Sequence, residues 1–162
     1  MRRKDRELTD MAEIFEIVKR ETVCTVAFYD EPFPYLIPLN YGARVEEGKL
    51  VLYFHGAARG TKFELLKKNP RVSFSIFGRN KIKLVREYAC KSSTSFESVC
   101  GSGNVKIIGE PEKKREGLAV IMNHIGAPEG VSYDEADFSE QETQAVTVWK
   151  ITADTVTGKR HP

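Results

Sequence analysis

Residues 53–74 read YFHGAARGTKFELLKKNPRVSF, which is typical of a strand, a loop of small residues, a short basic helix, an Asn-Pro stop and a second strand. Small residues in a loop allow a ligand to approach the backbone closely. The free N–H groups at the start of the helix, together with Thr61 and Lys62, offer hydrogen-bond donors and positive charge. The stretch therefore predicts a site for an anion such as a phosphate.

On either side of this stretch, the spacing of apolar residues predicts two longer helices. Asp10 has the position of a helix cap ahead of residues 11–20, and Glu13 follows it in capping-box spacing. Residues 112–125 carry apolar side chains at helical intervals. Runs of β-branched and aromatic residues predict strands at residues 23–29, 35–41, 49–54, 72–77, 82–89, 96–108 and 145–151, the last extending toward residue 157.

Six or seven antiparallel strands joined by short turns, with helices outside them, predict a mainly β (α+β) fold. We expect a six- to seven-stranded antiparallel split β-barrel with flanking helices, in which residues 78–80 turn one strand into the next. Residues 126–141 are acidic and are predicted to form an irregular loop. The length of 162 residues is typical of a single domain, spanning residues 1–162.

The composition disfavours several classes of partner. The 25 basic and 23 acidic residues leave a net charge of +2, so nothing indicates a nucleic-acid surface. No apolar run reaches the length of a membrane span. Three cysteines (Cys24, Cys90 and Cys100) without a secretory leader favour free thiols in a cytoplasmic protein. Neither the cysteines nor the three histidines have the spacing of metal ligands, so no metal site is expected.

The same residues resemble a known family. An aromatic strand end, a polar loop, the pair Thr61-Lys62, a short helix and the sequence NPRVS at residues 69–73 recur in this order in the flavin-binding split-barrel family that includes pyridoxamine 5'-phosphate oxidase. The His55-Gly56-Ala57 stretch is most similar to the nitroimidazole-resistance branch of that family. The resemblance implies a split barrel that binds FMN, with FAD as the alternative, in a homodimer whose flavin lies at the subunit interface.

In this resemblance the loop and the helix start hold the flavin. Lys62 and Thr61 would contact its phosphate, and Arg59 would reach the same group; otherwise Lys62 is a solvated lysine and Arg59 a surface residue. His55 and Gly56 would lie beside the flavin ring, where the histidine borders the substrate and is able to relay a proton. His55 is therefore the catalytic candidate, and its alternative is an exposed or structural histidine.

Three further strands carry candidate cofactor contacts in this resemblance. Two of them pass along the flavin, and the third lies at the dimer interface beside it. The candidates are Pro38, Leu39, Asn40 and Tyr41 on the first strand, Ser98 and Val99 on the second, and Trp149 on the third. The alternatives are ordinary strand positions for the first two sets and a core residue for Trp149.

These residues indicate an FMN-binding oxidoreductase that acts on a small molecule, specifically a nitroreductase of the nitroimidazole-resistance type. One alternative is an enzyme like pyridoxamine 5'-phosphate oxidase, although that oxidase has a tyrosine where this chain has His55. It also has a basic residue on the strand that covers residues 35–41 here, where this chain has none. The other alternative is a non-catalytic module that binds flavin or haem.

Overall fold

A computed structural model describes residues 3–162, so residues 1 and 2 of the predicted domain lie outside the described residues. The described part contains eight strands and four α-helices. The strands are β1 (Glu7–Leu8), β2 (Val23–Phe28), β3 (Tyr35–Asn40), β4 (Gly42–Glu46), β5 (Lys49–Gly56), β6 (Arg71–Lys83), β7 (Ser93–Ile108) and β8 (Thr147–His161). The helices are α1 (Met11–Arg20), α2 (Thr61–Lys68), α3 (Pro111–Gly126) and α4 (Glu140–Ala145).

The sheet is antiparallel throughout and runs in the order β3-β2-β6-β7-β8-β5-β4, with β1 added beside β8. Its two end strands are consecutive in the chain, because only Tyr41 separates the end of β3 from the start of β4. The chain thereby bends the sheet back on itself. The Tyr41 side chain is fully buried, and its hydroxyl donates to the carbonyl of Val18 in α1 over 2.7 Å. This arrangement confirms the predicted antiparallel split barrel with flanking helices.

Two of the predicted strands are one continuous strand. β6 runs to Lys83 and pairs with β7 along its length, so the predicted turn at residues 78–80 and the predicted strand at residues 82–89 are wrong. Residues 78–80 form a β-bulge instead, where the pairing shifts between Gly78 and Lys81. Turn-forming residues are compatible with either structure, and the long-range pairing with β7 decides between them.

The sequence pattern does not predict three short elements, which are the two-residue strand β1, the strand β4 and the helix α4. β4 begins with a glycine and contains an arginine and a glutamate, so its composition is not that of a typical strand. α4 lies in the acidic segment that is expected to be irregular. It begins with a capping box in which the side chains of Ser139 and Glu142 each accept from the other residue's backbone N–H. Residues 127–129 and 135–137 of the same segment form 3₁₀ turns.

Aromatic and aliphatic side chains fill the barrel interior. Trp149 and Phe54 stack with their ring centroids 4.3 Å apart, and Phe28 packs on Trp149 at 6.2 Å. A second apolar cluster lies on the outer face of the sheet, where α3 covers Val51 and Tyr53 of β5. None of the helices within residues 3–162 has the length and apolar character needed to cross a membrane.

Helix α3 packs on β4 through a backbone contact at Gly42. A Cβ atom at this position would lie 2.5 Å from the Cα of Ile121 and 2.5 Å from the carbonyl oxygen of Val120. Neither atom can move without displacing the helix, so we expect Gly42→Ala to lower the free energy of unfolding by about 1–3 kcal/mol. Urea denaturation measures this loss. Gly109→Ala is the matched control, because a Cβ atom there meets nothing within 4 Å, and an equal loss in both variants would contradict the steric explanation.

His124 links α3 to the end of α1 in the interior. Its Nε2 donates to the carbonyl of Glu21 over 2.8 Å, and its ring packs on Tyr41 with the centroids 4.8 Å apart. Burial lowers the pKa of His124, and the hydrogen bond to Glu21 offsets part of this effect. The folded protein therefore favours the neutral imidazole.

We expect the free energy of unfolding to fall as the pH drops below about 6.5, the ordinary pKa of histidine. The unfolded chain then takes up a proton that His124 resists in the folded chain. The contribution is complete above this pH and is lost as the pH falls toward the lower folded-state pKa. Urea denaturation over this range should give a shallower decline for His124→Gln than for the wild type. The pKa of His55 is also lowered, so the comparison is made in a His55→Gln background. Equal slopes in that background with and without His124→Gln would assign the decline to other groups.

Candidate functional site

The loop after β5 leads directly into α2, in agreement with the sequence pattern. β5 ends at Gly56 and α2 begins at Thr61, with Gly60 as its N-cap. Gly60 has φ +129°, a conformation that residues with side chains rarely adopt. Within residues 3–162 no side chain caps this helix, and no protein group accepts from the N–H of Thr61 or Lys62. Both N–H groups are therefore available to a ligand.

Lys62 folds back over the end of β5. A Cβ atom added at Gly56 would lie 3.2 Å from the Nζ of Lys62. The absence of a side chain at Gly56 therefore leaves room for the ammonium group. The Nζ also lies 4.9 Å from the ring centroid of Phe63. Lys62 is half-buried, and no carboxylate of the described residues comes within 4.0 Å of its Nζ. The protein itself therefore does not neutralise this positive charge.

His55 lies at the solvent-accessible end of β5, opposite Val148 of β8. Neighbouring atoms exclude part of its water, and the positive charge of Lys62 is close. The loss of contact with water lowers the pKa of His55 most, and the positive charge of Lys62 lowers it further. The imidazole is therefore predominantly neutral at pH 7, with one N–H donor and one acceptor nitrogen.

Four of the predicted residues thus come together at one place. His55, Gly56, Thr61 and Lys62 form what we call the loop–helix site, and Arg59 lies exposed in the loop between them. The site combines a cation, free backbone donors and a neutral histidine. Such a combination suits an anionic group bound at the start of a helix.

Strand β3, the second predicted contact region, presents alternate residues to solvent. Pro38 and Asn40 are exposed, and Leu39 is half-buried. The amide of Asn40 donates to the carbonyl of Thr22 over 3.0 Å, so one of its donors is already used within the chain. Tyr41 lies in the core, where its side chain is withdrawn from the surface, and only its backbone is left for the predicted role.

The remaining strand candidates lie elsewhere. The side chains of Val99 and Trp149 are fully buried in the barrel interior, because they occupy inward-facing positions of β7 and β8, and a surface cofactor does not reach them. Ser98 is half-buried opposite Lys159, near the end of β8. His55 pairs with Val148 near the start of that strand, roughly 36 Å of extended chain away. Within one chain, Ser98 therefore lies far from the loop–helix site.

A buried carboxylate outside the predicted set lies near Ser98. Glu97 is 4% exposed and accepts hydrogen bonds from Arg20 and from Arg160, whose Nε is 2.6 Å from Oε1. Burial by itself would raise the pKa of Glu97, but Arg160, Arg20 and Arg79 outweigh burial and hold it below its usual range. One signal marks Glu97 in the sequence: it precedes Val99 by two residues, so both face inward in the same strand.

A second ionic cluster lies on the outer face of the sheet beside α3. The Tyr53 hydroxyl donates to Glu46 and accepts from Arg44 over 2.8 Å, and the Nζ of Lys150 is 2.7 Å from Glu46. Burial would raise the pKa of Glu46, but hydrogen bonds from Lys150, Tyr53 and Arg44 lower it to about 2. Arg44 also pairs with Glu116 at 2.6 Å. Cations and carboxylates are paired here, so the cluster fastens β4, β5 and β8 to one another.

One face of the sheet carries short side chains across four strands, and we call it the small-residue face. It contains a shallow depression of about 480 Å³. Short side chains on this face are Thr25 and Ala27 of β2, Ser73 and Ser75 of β6, Cys100 and Ser102 of β7, and Thr155 and Thr157 of β8. Leu36 of β3, which is 55% exposed, also lines the depression. None of the lining residues in the described part of the chain is charged, so another surface is able to approach it without burying an ion.

Comparison with known proteins agrees with this geometry. The family model described as pyridoxamine 5'-phosphate oxidase matches residues 10–160. No curated protein matches the chain. Among solved structures, a candidate 5-nitroimidazole antibiotic resistance protein from Bacteroides thetaiotaomicron is 30% identical, with a TM-score of 0.78 over 95% of this chain and 86% of that one.

Two more distant structures share the fold. An FAD- and haem-binding protein from Mycobacterium smegmatis is 18% identical, with a TM-score of 0.77 over 96% of this chain and 73% of that one. The flavocytochrome Anf3 from Azotobacter vinelandii is also 18% identical, with a TM-score of 0.78 over 100% of this chain and 72% of that one. The family model covers nearly all of the described residues, and the loop–helix site carries the residues on which the resemblance rests. The chain belongs to the pyridoxamine 5'-phosphate oxidase family.

Proposed function

We propose that this protein is a homodimer that binds FMN and uses it to reduce a small molecule, with nitroaromatic compounds as the substrate class. The observation that carries the proposal is the loop–helix site, where no carboxylate of residues 3–162 pairs with the half-buried cation of Lys62. The 30% identity to the candidate 5-nitroimidazole resistance protein supports the substrate class.

The residues of the loop–helix site fit the phosphate end of a flavin. Lys62 supplies positive charge, the Thr61 hydroxyl and two backbone N–H groups supply donors, and the helix dipole of α2 adds to the attraction. Arg59 brings a second cation to the same loop. Gly56 keeps the end of β5 open for the ammonium group. FAD would use the same contacts through one of its phosphates, and it is the alternative cofactor.

When bound, the flavin supplies the electron transfer itself. The contribution of this chain is to hold the cofactor and to orient the substrate. His55 is neutral at pH 7 and lies at the accessible end of β5, so its ring N–H is free to donate to a nitro or carbonyl oxygen of the substrate. This role makes His55 the catalytic candidate of the proposal.

The dimer part of the proposal places a second copy on the small-residue face. Short, uncharged side chains permit two sheets to approach closely without desolvating ions. In one chain, Ser98 and the loop–helix site lie at opposite ends of β8. Two copies that cross this face in opposite directions would bring Ser98 of one chain near the loop–helix site of the other, where both contribute to one flavin site.

We expect Ser75→Glu, in the middle of the small-residue face, to convert the dimer into monomers, because the added carboxylate would be buried without a partner at a cost of several kcal/mol. Sedimentation velocity measures the change. Gln141→Glu adds the same charge at an exposed position of α4 and should leave the dimer intact. A dimer that persists in the Ser75 variant would remove this interface from the proposal.

The function is tested first by the visible absorbance spectrum of the purified protein and by titration with FMN. We expect a flavin spectrum, binding at micromolar FMN, reduction by NADH or NADPH, and reoxidation by a 5-nitroimidazole. A protein that binds neither FMN nor FAD would contradict the cofactor. A haem spectrum, or a bound flavin that no donor reduces, would favour the non-catalytic module, and turnover of pyridoxamine 5'-phosphate would favour the oxidase.

A further inference from the structure

The hairpin that joins β6 to β7 extends beyond the rest of the sheet. Residues 81–83 pair with residues 93–95, and within residues 3–162 neither stretch pairs with any other strand. We call residues 81–93 the basic hairpin. All of them are exposed except Val85 and Ser92, which are half-buried. The rest of the chain therefore leaves this ribbon uncovered.

Three large apolar side chains lie on the basic hairpin. Ile82 is 65% exposed, Leu84 is 79% exposed and Tyr88 is 60% exposed. A two-stranded hairpin without a packed face is only marginally stable in water, and a group of exposed apolar side chains is typical of an interaction surface. The hairpin therefore has the composition of a segment that another surface covers.

The charge of the basic hairpin restricts what that other surface is. Four cations and one carboxylate give the hairpin a net charge of +3, and they belong to Lys81, Lys83, Arg86, Lys91 and Glu87. Within residues 3–162 no carboxylate lies within 4.0 Å of these four cations. An acidic surface would pair with them, whereas a basic surface would be repelled.

An acidic surface of this kind lies at the other end of β8. Residues 129–142, which we call the α4 segment, contain six carboxylates and neither lysine nor arginine. All six carboxylates are exposed, and no cation of residues 3–162 lies within 4.0 Å of them. The basic hairpin and the α4 segment therefore carry opposite charges that one chain does not pair.

A single chain keeps these two surfaces apart. The basic hairpin lies beyond the pair that Phe96 forms with His161 at the end of β8, and α4 ends two residues before β8 begins at Thr147. These two ends of β8 are roughly 45 Å apart along an extended strand. Contact between the basic hairpin and the α4 segment therefore requires a second copy of the chain.

The basic hairpin is continuous with the small-residue face. Alternate residues of β7 share one side of the sheet, so Thr94 faces the same way as Cys100, and Ile82 lies opposite Thr94. Two copies that cross on this face in opposite directions would bring the hairpin of one chain toward the Thr147 end of β8 in the other, beside the α4 segment. Two-fold symmetry would form the same contact twice.

We infer that the basic hairpin of each subunit docks on the α4 segment of its partner. The contact joins the unpaired cations of one chain to the unpaired carboxylates of the other, and it covers the apolar side chains of the ribbon. The inference rests on the dimer in the proposed function, but it requires neither a flavin nor a substrate.

Coexpression of two charge-reversed chains tests the inference. One chain carries Arg86→Glu and Lys91→Glu on the basic hairpin, and the other carries Glu135→Lys and Glu140→Lys on the α4 segment. Each chain repels its own copy at both contacts, whereas a mixed dimer regains attraction at both. Native mass spectrometry, with a polyhistidine tag on one chain, measures the proportions of the three dimers. We expect about 80% or more of mixed dimers, against about 50% for random pairing, because like charges across an interface are penalised.

Lys49→Glu combined with Lys106→Glu is the matched control, because it reverses two exposed lysines outside the basic hairpin and gives the same net charge. With the α4-segment variant it forms one attractive and one repulsive contact, so pairing should be random, with about 50% of mixed dimers. Random pairing of the first two variants, or equal enrichment of mixed dimers in the control, would overturn the inference and leave the flavin proposal untouched. A wild-type protein that sediments as a monomer would overturn it together with the dimer part of the proposed function.

Discussion

Replacing Lys62 with alanine is expected to weaken FMN binding by about 100-fold and to leave the fold intact. A charge-assisted hydrogen bond to a phosphate contributes about 1.5–3 kcal/mol, and each factor of ten in affinity corresponds to about 1.4 kcal/mol. The effect reaches the upper part of this range because Lys62 has no competing carboxylate within the described residues and its Nζ is held over Gly56. Fluorescence titration of FMN measures the dissociation constant.

The same reasoning predicts little change in stability, because Lys62 makes no ion pair with residues 3–162 that the variant would lose. Lys67→Ala is the matched control: it removes the same charge from the same helix, but Lys67 is exposed and pairs with Glu64 at 2.8 Å. We expect less than about a threefold change in FMN affinity for this control, because Lys67 lies in the last turn of α2, away from the helix start that would hold the phosphate. Unchanged FMN affinity in Lys62→Ala would exclude the phosphate role and require another site for the flavin.

Glu97→Gln is expected to lower the free energy of unfolding by about 2–3 kcal/mol, the largest loss for a polar residue of the two ionic clusters. Removing one partner of a buried ion pair typically costs about 3–5 kcal/mol, because the other charge is left without compensation. The loss is smaller here because the side chains of Arg20 and Arg160 are 31% and 38% exposed and regain water. Urea denaturation at pH 7 measures it.

Glu64→Gln is the control for this prediction, because it removes an exposed carboxylate paired with Lys67 and should change stability by less than about 1 kcal/mol. The decrease in the free energy of unfolding at acidic pH gives a second readout. The pKa of Glu97 is lowered, so its contribution is present above the ordinary glutamate pKa of about 4.3 and is lost as the pH falls through the lower folded-state value. Stability at pH 7 equal to that of the wild type would show that Glu97 is replaceable by any hydrogen-bonding group.

The loop–helix site is the part of the molecule that local sequence predicts best. Gly60, Thr61 and Lys62 act through backbone conformation and helix start, and both are properties of a few consecutive residues. The two long helices follow for the same reason, since their apolar spacing is a local pattern. The structure accordingly places α1 and α3 within about two residues of the predicted ranges.

Features that depend on residues far apart in the chain cannot be predicted from local sequence patterns. The continuity of β6 through its bulge depends on pairing with β7, and the burial of Glu97 depends on arginines from α1 and β8. Trp149 has the composition of either a core or an interface residue, and only its packing on Phe54 decides for the core. The bend at Tyr41, which joins the two ends of the sheet, is likewise a tertiary property.

The position of β8 in the sheet has a consequence for synthesis of the protein. β8 is translated after the other seven strands that the structure describes, yet it lies between β7 and β5. Until the ribosome has made it, the facing edges of β5 and β7 carry unpaired N–H and C=O groups, and Phe54 lacks its stacking partner Trp149. Open strand edges are templates for pairing between molecules, so the nascent chain is exposed to aggregation until translation has passed His161. Yield of folded protein should therefore depend on expression temperature and chaperone supply more strongly than the stability of the finished fold would suggest.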